Sequence, residues 1–209
     1  AVNLVIGDII NNQYGGLLSF GFILSIFLMT NGVNAIFGGF EYSYHVNEFR
    51  NVFKTYFISL GVSLLTSFFL IVTVVLVLLY QVALSKIDDN GWLNTSDLNL
   101  FFYGRSVLFL IMIFTIVSLL FRYGTKQGKE LTFFSAGAIL TTLLSLSTFY
   151  LFGIYVVKFA QYNQLYGSIG TLLVLMLFVW LNAIILLLGF ELNASLYQLR
   201  QQNKTVPTS

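Results

Sequence analysis

Five stretches of this chain run for twenty or more residues with scarcely a charge, and nothing else in it constrains the fold so tightly. They cover residues 15–40, 56–80, 100–121, 131–157 and 169–189. A helix needs about 20 mostly apolar residues to cross a hydrocarbon core of about 30 Å. Apolar and polar residues do not alternate in any of the five, and each is far longer than the roughly 10 residues of a barrel strand. Backbone polar groups in lipid must be satisfied within the segment. The expected fold is therefore all-α: a multi-pass transmembrane helical bundle with five spans. The third stretch carries Arg105 in its first turns, the fourth is rich in Ser and Thr, and the fifth is almost wholly aliphatic and Phe around Trp180 and Asn182. Residues 1–13 read as a short amphipathic piece on the membrane surface. A single helical domain spans residues 1–200, with no internal repeat, and 201–209 form a polar tail.

Composition narrows the function. The chain is 57% hydrophobic and 9% charged, against about 25% charged in soluble domains, so it cannot cover a soluble enzyme's surface. A net charge of +2 argues against a protein that neutralises nucleic-acid phosphates by the handful. With no cysteine, disulfides, thiolate metal sites and cysteine nucleophiles are all excluded.

The connections sort by charge. Arg50, Lys54, Arg122, Lys126, Lys129, Arg200 and Lys204, seven of the ten basic residues, fall on one set of alternating ends. The other set holds Lys86, Arg105 and Lys158 together with Asp8, Asp88, Asp89 and Asp97. Basic residues concentrate on the cytoplasmic side, so the C-terminus is expected in the cytoplasm and the segment before the first span outside. An external start with five spans implies a further helix upstream.

Two motifs are specific. Tyr162-Asn163-Gln164-Leu165-Tyr166-Gly167-Ser168-Ile169-Gly170 precedes the last apolar run, and Leu188-Gly189-Phe190-Glu191-Leu192-Asn193-Ala194 follows it. Together they resemble the C-terminal signature of the YihY/BrkB family of bacterial inner-membrane proteins, formerly mislabelled ribonuclease BN. Thr30-Asn31-Gly32, Tyr44, Glu48-x-Arg50 and Arg122-Tyr123-Gly124 add weaker matches in the same order. The resemblance covers essentially the whole chain. It implies six helices, the first of them absent here, and residence in the cell inner membrane. Where the family tends to have Pro after Arg-Tyr, this chain has Gly124 and Thr125, expected to be a tolerated loop change.

The old ribonuclease label has no chemistry behind it in the sequence. RNA cleavage needs acid–base groups or metal-bound carboxylates at one site. The one histidine, His45, has no acidic constellation around it, and Asp88, Asp89 and Asp97 fall on the side away from RNA. No catalytic residue, metal or cofactor is expected, and no nucleic-acid partner.

The polar residues inside the spans are the remaining candidates. Asn31 and Asn34 share a face of the first helix, extended by Gly38. With Asn182 they form either a polar pathway or hydrogen-bonding glue between helices. Thr55, Ser59, Ser63 and Ser67 form a small-residue stripe on the second helix, and Gly137, Thr141 and Ser145 another on the fourth. Both stripes are expected to pack against the first helix. Tyr162, Asn163, Tyr166, Gly167 and Gly170 form an outer-side gate or a structural turn, with the glycines permitting a short re-entrant entry into the fifth helix. Glu191, taken to end that helix on the cytoplasmic side, is unfavourably placed by the helix dipole. It is expected to join Arg50, Arg122 and Lys126 in an ion-pair cluster, or else to carry protons. Arg105 and Lys158 snorkel to lipid headgroups or contact an anionic lipid.

Two functions fit. One is a transporter or export factor for a lipid or other amphiphile of the cell envelope. The resemblance points that way, because some family members have been linked to movement of lipopolysaccharide precursors. The other is a non-transporting membrane scaffold that anchors an envelope protein or lipid-transfer complex. Membrane lipids are the expected partners in either case, with other membrane proteins in the second.

Overall fold

The structure, a computed structural model, describes residues 15–43, 46, 50–89, 97–126, 128, 132–159 and 163–205. All five expected spans are helices: α1 (Gly15–Glu41), α2 (Val52–Asp89), α3 (Asp97–Gly124), α4 (Ala136–Phe159) and α5 (Asn163–Thr205). Each contains a stretch long and apolar enough to cross a membrane. No strand occurs among the described residues. The amphipathic reading of residues 1–13 lies outside them.

The helix ends differ from the sequence expectation, each for a local reason. α4 begins at Ala136 rather than Leu131 because Ser135 caps it: the Ser135 Oγ accepts the Ala138 N–H at 3.3 Å, satisfying an orphan amide of the first turn. Asn51 does the same for α2, accepting the Phe53 N–H at 3.3 Å. α2 and α5 far outrun the membrane. At about 1.5 Å per residue, their 38 and 43 residues measure roughly 57 and 64 Å. α5 does not stop at Gly189. Its apolar run gives way to an amphipathic pattern of good helix formers (Glu191, Leu192, Ala194, Leu196, Gln198, Arg200), with no breaker before Pro207. The tail expected from residue 201 is therefore helical through Thr205. At its other end α5 is already helical at Asn163, so Gly167 and Gly170 sit in a continuous helix and not in a re-entrant turn. Glycine is well tolerated in membrane helices.

Neighbours in sequence pack in order, α1 on α2 through α4 on α5, and α1 also touches α3 and α5. The stripe on α2 faces α1 as expected. The stripe on α4 does not: it is used against α5.

Burial is polarised along the bundle. Call the end carrying the loops after α1 and α3 the basic end. In α1 the buried residues are Thr30, Val33, Phe37 and Phe40; in α2 they lie between Thr55 and Thr66. In α3 they begin at Ile113, in α4 they end at Ser145, and in α5 they are Gly189, Phe190, Asn193 and the lone distant Gly170. Apart from Gly170, every buried described residue of the spans thus lies in the half nearer the basic end. The other halves of the helices present Phe20, Phe22, Leu78, Leu79, Leu172 and Leu173 outward. Among the described residues burial is thus concentrated at the basic end, where the helices are knitted together, while the other half is held by scattered contacts such as the Phe152 and Phe178 rings, 4.7 Å apart.

Candidate functional site

The knitted end is built around three rings. Phe40 of α1 and Phe190 of α5 stack with centroids 4.4 Å apart and 10° between planes. Phe121 of α3 meets both edge-on, at 5.6 and 6.0 Å. All three are buried. Offset and edge-on aromatic pairs contribute about 0.5–1.5 kcal/mol each beyond area burial. The two stacked rings belong to the same tripeptide: Gly39-Phe40-Glu41 at the end of α1 and Gly189-Phe190-Glu191 within α5. The doubled Gly-Phe-Glu is legible in the sequence; that its two rings stack is not.

The carboxylates that follow the rings sit beside the α1–α2 connection. Glu191 lies fourteen residues short of the last residue of α5, so the dipole argument for it does not hold. Its Oε2 accepts the Ser43 hydroxyl. Glu41 is half-buried, and its Oε1 is enclosed without a hydrogen-bond partner. Arg50, 8% exposed, comes in from the loop between α1 and α2. Its Nη1 donates to the Tyr123 carbonyl at 2.6 Å and its Nη2 to the Thr125 carbonyl. Burial draws the Arg50 guanidinium below its ordinary range, and the Glu41 carboxylate partly restores it. Of the expected ion-pair cluster, then, Arg50 is committed to the C-terminal carbonyls of α3, a favourable place for a cation. The acid electrostatically coupled to it is Glu41, a residue sequence reasoning missed along with Ser43. Arg122 and Lys126 are exposed beside these carbonyls. Gly124 is no loop position: a Cβ there would stand 3.0 Å from Phe40 Cε2 and 3.4 Å from Phe37 Cδ1. A side chain at that point would unseat the aromatic cluster.

α4 and α5 meet with their backbones in contact. A Cβ on Gly137 would strike the Gly189 carbonyl and lie 2.6 Å from Asn193 Cγ; one on Gly189 would strike the Thr141 hydroxyl and lie 2.9 Å from the Gly137 carbonyl. Asn193, 3% exposed, is the polar pin of this crossing. Its Oδ1 accepts the Gly137 N–H at 2.7 Å, and its Nδ2 donates to Ser135 Oγ at 2.9 Å. An α5 side chain thereby caps the first turn of α4. The hydroxyls of the α2 stripe turn inward upon their own helix: Ser59 to the Thr55 carbonyl at 2.9 Å and Ser63 to the Ser59 carbonyl at 2.7 Å. They serve as small packing residues, with Thr66 joining them. Ser67 leaves the stripe to contact Met29 Sδ at 3.0 Å.

The polar candidates farther from the aromatic cluster are spread out. Asn31 is exposed. Asn34 Oδ1 stands 3.4 Å from Ser59 Oγ across α1–α2, a long secondary contact, since the Ser59 proton is directed at the Thr55 carbonyl. Asn182 donates to the Phe178 carbonyl of its own helix at 2.9 Å. Of the gate residues, Gly170 is buried, and Asn163, Tyr166 and Gly167 are helical in α5 with side chains outside the described residues. Tyr162 and His45 lie outside them altogether. Between α2 and α3 the half farther from the basic end holds a groove of about 530 Å³, lined by α2 residues 70–78 and α3 residues 105–112. No group of three or more His, Cys, Asp or Glu that could hold a metal occurs among the described residues.

Five helices long and apolar enough to cross a membrane, packed around a buried aromatic cluster at one end, define a multi-pass helical membrane protein. The family model for Virulence factor BrkB matches residues 1–208, and the chain belongs to that family. It is 33% identical to the ribonuclease-like protein YfkH of Bacillus subtilis over 90% of this chain and 69% of that one. It is also 31% identical to a UPF0761 membrane protein of Pseudoalteromonas translucida, over 55% of this chain and 37% of the relative. A UPF0761 membrane protein of Idiomarina loihiensis matches at 28% over 44% of this chain and 33% of the relative. The matched part thus spans about a third of either UPF0761 relative. No solved structure matches it.

Proposed function

We propose that the protein moves a lipid or other amphiphile of the cell envelope within the bacterial inner membrane, with its basic end and C-terminus in the cytoplasm. The observation that carries this reading is the polarised burial. A bundle packed tightly at the cytoplasmic end and more loosely in the opposite half, with a groove between α2 and α3, admits a membrane-soluble molecule sideways from the bilayer while blocking a water-filled leak. The basic end follows the excess of Lys and Arg on cytoplasmic loops. Enzymatic turnover has no place in this reading, and neither does RNA: YfkH is called ribonuclease-like, yet no cluster of His, Cys, Asp or Glu able to hold a metal occurs among the described residues. Unilamellar vesicles carrying the purified protein and a trace of tail-labelled phospholipid test the proposal. The expected result is that inner-leaflet label moves out to an impermeant external quencher several-fold faster than in protein-free vesicles, with the vesicles remaining sealed. Equal rates with correctly folded protein would refute it.

One observation favours the scaffold reading instead. Leu172, Leu173, Leu175, Met176, Val179 and Trp180 of α5 are all exposed, an apolar flank able to meet helices of another membrane protein, such as a component of a lipid-transfer complex. Co-purification of a stable partner with vesicles that show no lipid movement would replace the first reading with this one.

A further inference from the structure

We propose that the groove between α2 and α3 binds one anionic phospholipid, its acyl chain against Leu70, Val74, Val77, Phe109 and Met112 and its phosphate at Arg105 and Ser106. This deepens the lipid-movement reading, on which it rests, by naming a site and a substrate class.

The gap between the helices has a structural cause. Farther from the basic end the Tyr80 ring lies against the α3 backbone, where a Cβ on Gly104 would stand 2.6 Å from Tyr80 Cζ. Towards the basic end Val62, Thr66 and Ile113 are buried in the knitted half. Pinned at both levels, the two antiparallel helices leave about 530 Å³ between them, within the range of roughly 300–1,000 Å³ typical of ligand sites. The lining residues on α2 run from Leu70 up to Leu78 while those on α3 run from Arg105 down to Met112. At about 1.5 Å per residue, the groove is roughly 11 Å long and runs along the two helices.

Polarity within it is confined to one rim. Thr73 faces the groove, but its hydroxyl donates to the Phe69 carbonyl at 2.8 Å, so its methyl is what an occupant meets. The deep wall is therefore hydrocarbon. Arg105 and Ser106 stand at the other extreme. Arg105 is exposed and stands eight residues from the start of α3 at Asp97, in the first turns of the apolar stretch, from where its long side chain snorkels to headgroup depth. A guanidinium is costly deeper in lipid, and its planar fork matches phosphate oxygens bidentately. Apolar below and cationic at the interface, the groove complements a molecule with an acyl chain below and a phosphate above. A lipid of net negative charge is preferred over a zwitterionic one, because no choline cation then competes beside Arg105.

The test uses the whole chain in nanodiscs of equimolar phosphatidylglycerol and phosphatidylcholine, released into native mass spectrometry to read the lipid retained. Wild type is expected to retain phosphatidylglycerol about tenfold over phosphatidylcholine, equivalent to about 1.4 kcal/mol. Arg105→Gln should abolish the preference and Arg105→Lys restore part of it. Met112→Trp, filling the groove, should lower retention of both lipids; should that variant fail to fold, the Arg105 pair decides alone. Equal retention of the two lipids by wild type, or an unchanged preference in Arg105→Gln, would overturn the assignment and leave the vesicle result standing. A groove that retains phosphatidylglycerol in a protein that moves no lipid would overturn the transport reading and leave the site intact.

Discussion

Asn193→Ala isolates the contact that holds α4 to α5. The substitution removes an acceptor from the Gly137 N–H and a donor from Ser135 Oγ, bonds of 2.7 and 2.9 Å, at a residue only 3% exposed. Each buried group left unsatisfied costs about 1–3 kcal/mol. Ser135 recovers part of its share because its oxygen still accepts the Ala138 N–H at 3.3 Å, so the loss falls mainly on Gly137, one of the orphan amides of a helix start. The expected cost is about 3 kcal/mol. At about 2–4 °C per kcal/mol for a chain of this size, Tm should fall by roughly 6–12 °C, read by intrinsic fluorescence of detergent-purified protein. Ser135→Ala alone should cost about 1 kcal/mol, and the double variant less than the sum of the two, because the residues share one bond. A Tm loss below about 2 °C for Asn193→Ala, or strict additivity of the pair, would refute the capping argument.

The remaining expectations concern the same end of the bundle and its orientation. Gly189→Val should prevent assembly of the α4–α5 crossing, since even a Cβ at 189 strikes the Thr141 hydroxyl; expression at wild-type level with unchanged Tm would contradict the close approach. Glu191→Ala should cost about 1–2 kcal/mol by stripping the Ser43 hydroxyl of its acceptor, and Glu191→Gln less, with function following protein abundance. Wild-type stability of Glu191→Gln together with lost activity would make Glu191 a proton carrier instead. In this cysteine-free chain, single cysteines at 90 and 126 should label from outside only at 90, and labelling at 126 alone would invert the topology. Purified protein should cleave no RNA above background; cleavage abolished by His45→Ala or Asp89→Ala would restore the nuclease reading.

The spans were legible from the residues alone because in lipid the backbone has few choices. Any stretch of twenty apolar residues must satisfy its own amides, and a helix does so without help from the rest of the chain. The helix ends were less legible because apolarity marks only the membrane part. Asn51 and Ser135 start helices by side-chain caps, and α5 continues past Gly189 because nothing after it breaks a helix. Composition cannot report either fact. Partner choice was legible least of all. Gly137, Thr141 and Ser145 read as a stripe that wants a close neighbour, but a stripe of small residues fits any helix equally well. It took the meeting of Gly137 with Gly189, fixed by the Asn193 cap, to assign it to α5 and not α1. Likewise Phe40 and Phe190 are ordinary apolar residues 150 positions apart in the sequence until their rings stack. Glu41, Ser43, Arg50 and Glu191 acquire their roles only from what that stacking brings alongside. Local hydrophobicity is a property of a segment and can be read from it; complementarity belongs to two surfaces at once, and only the packed bundle contains both.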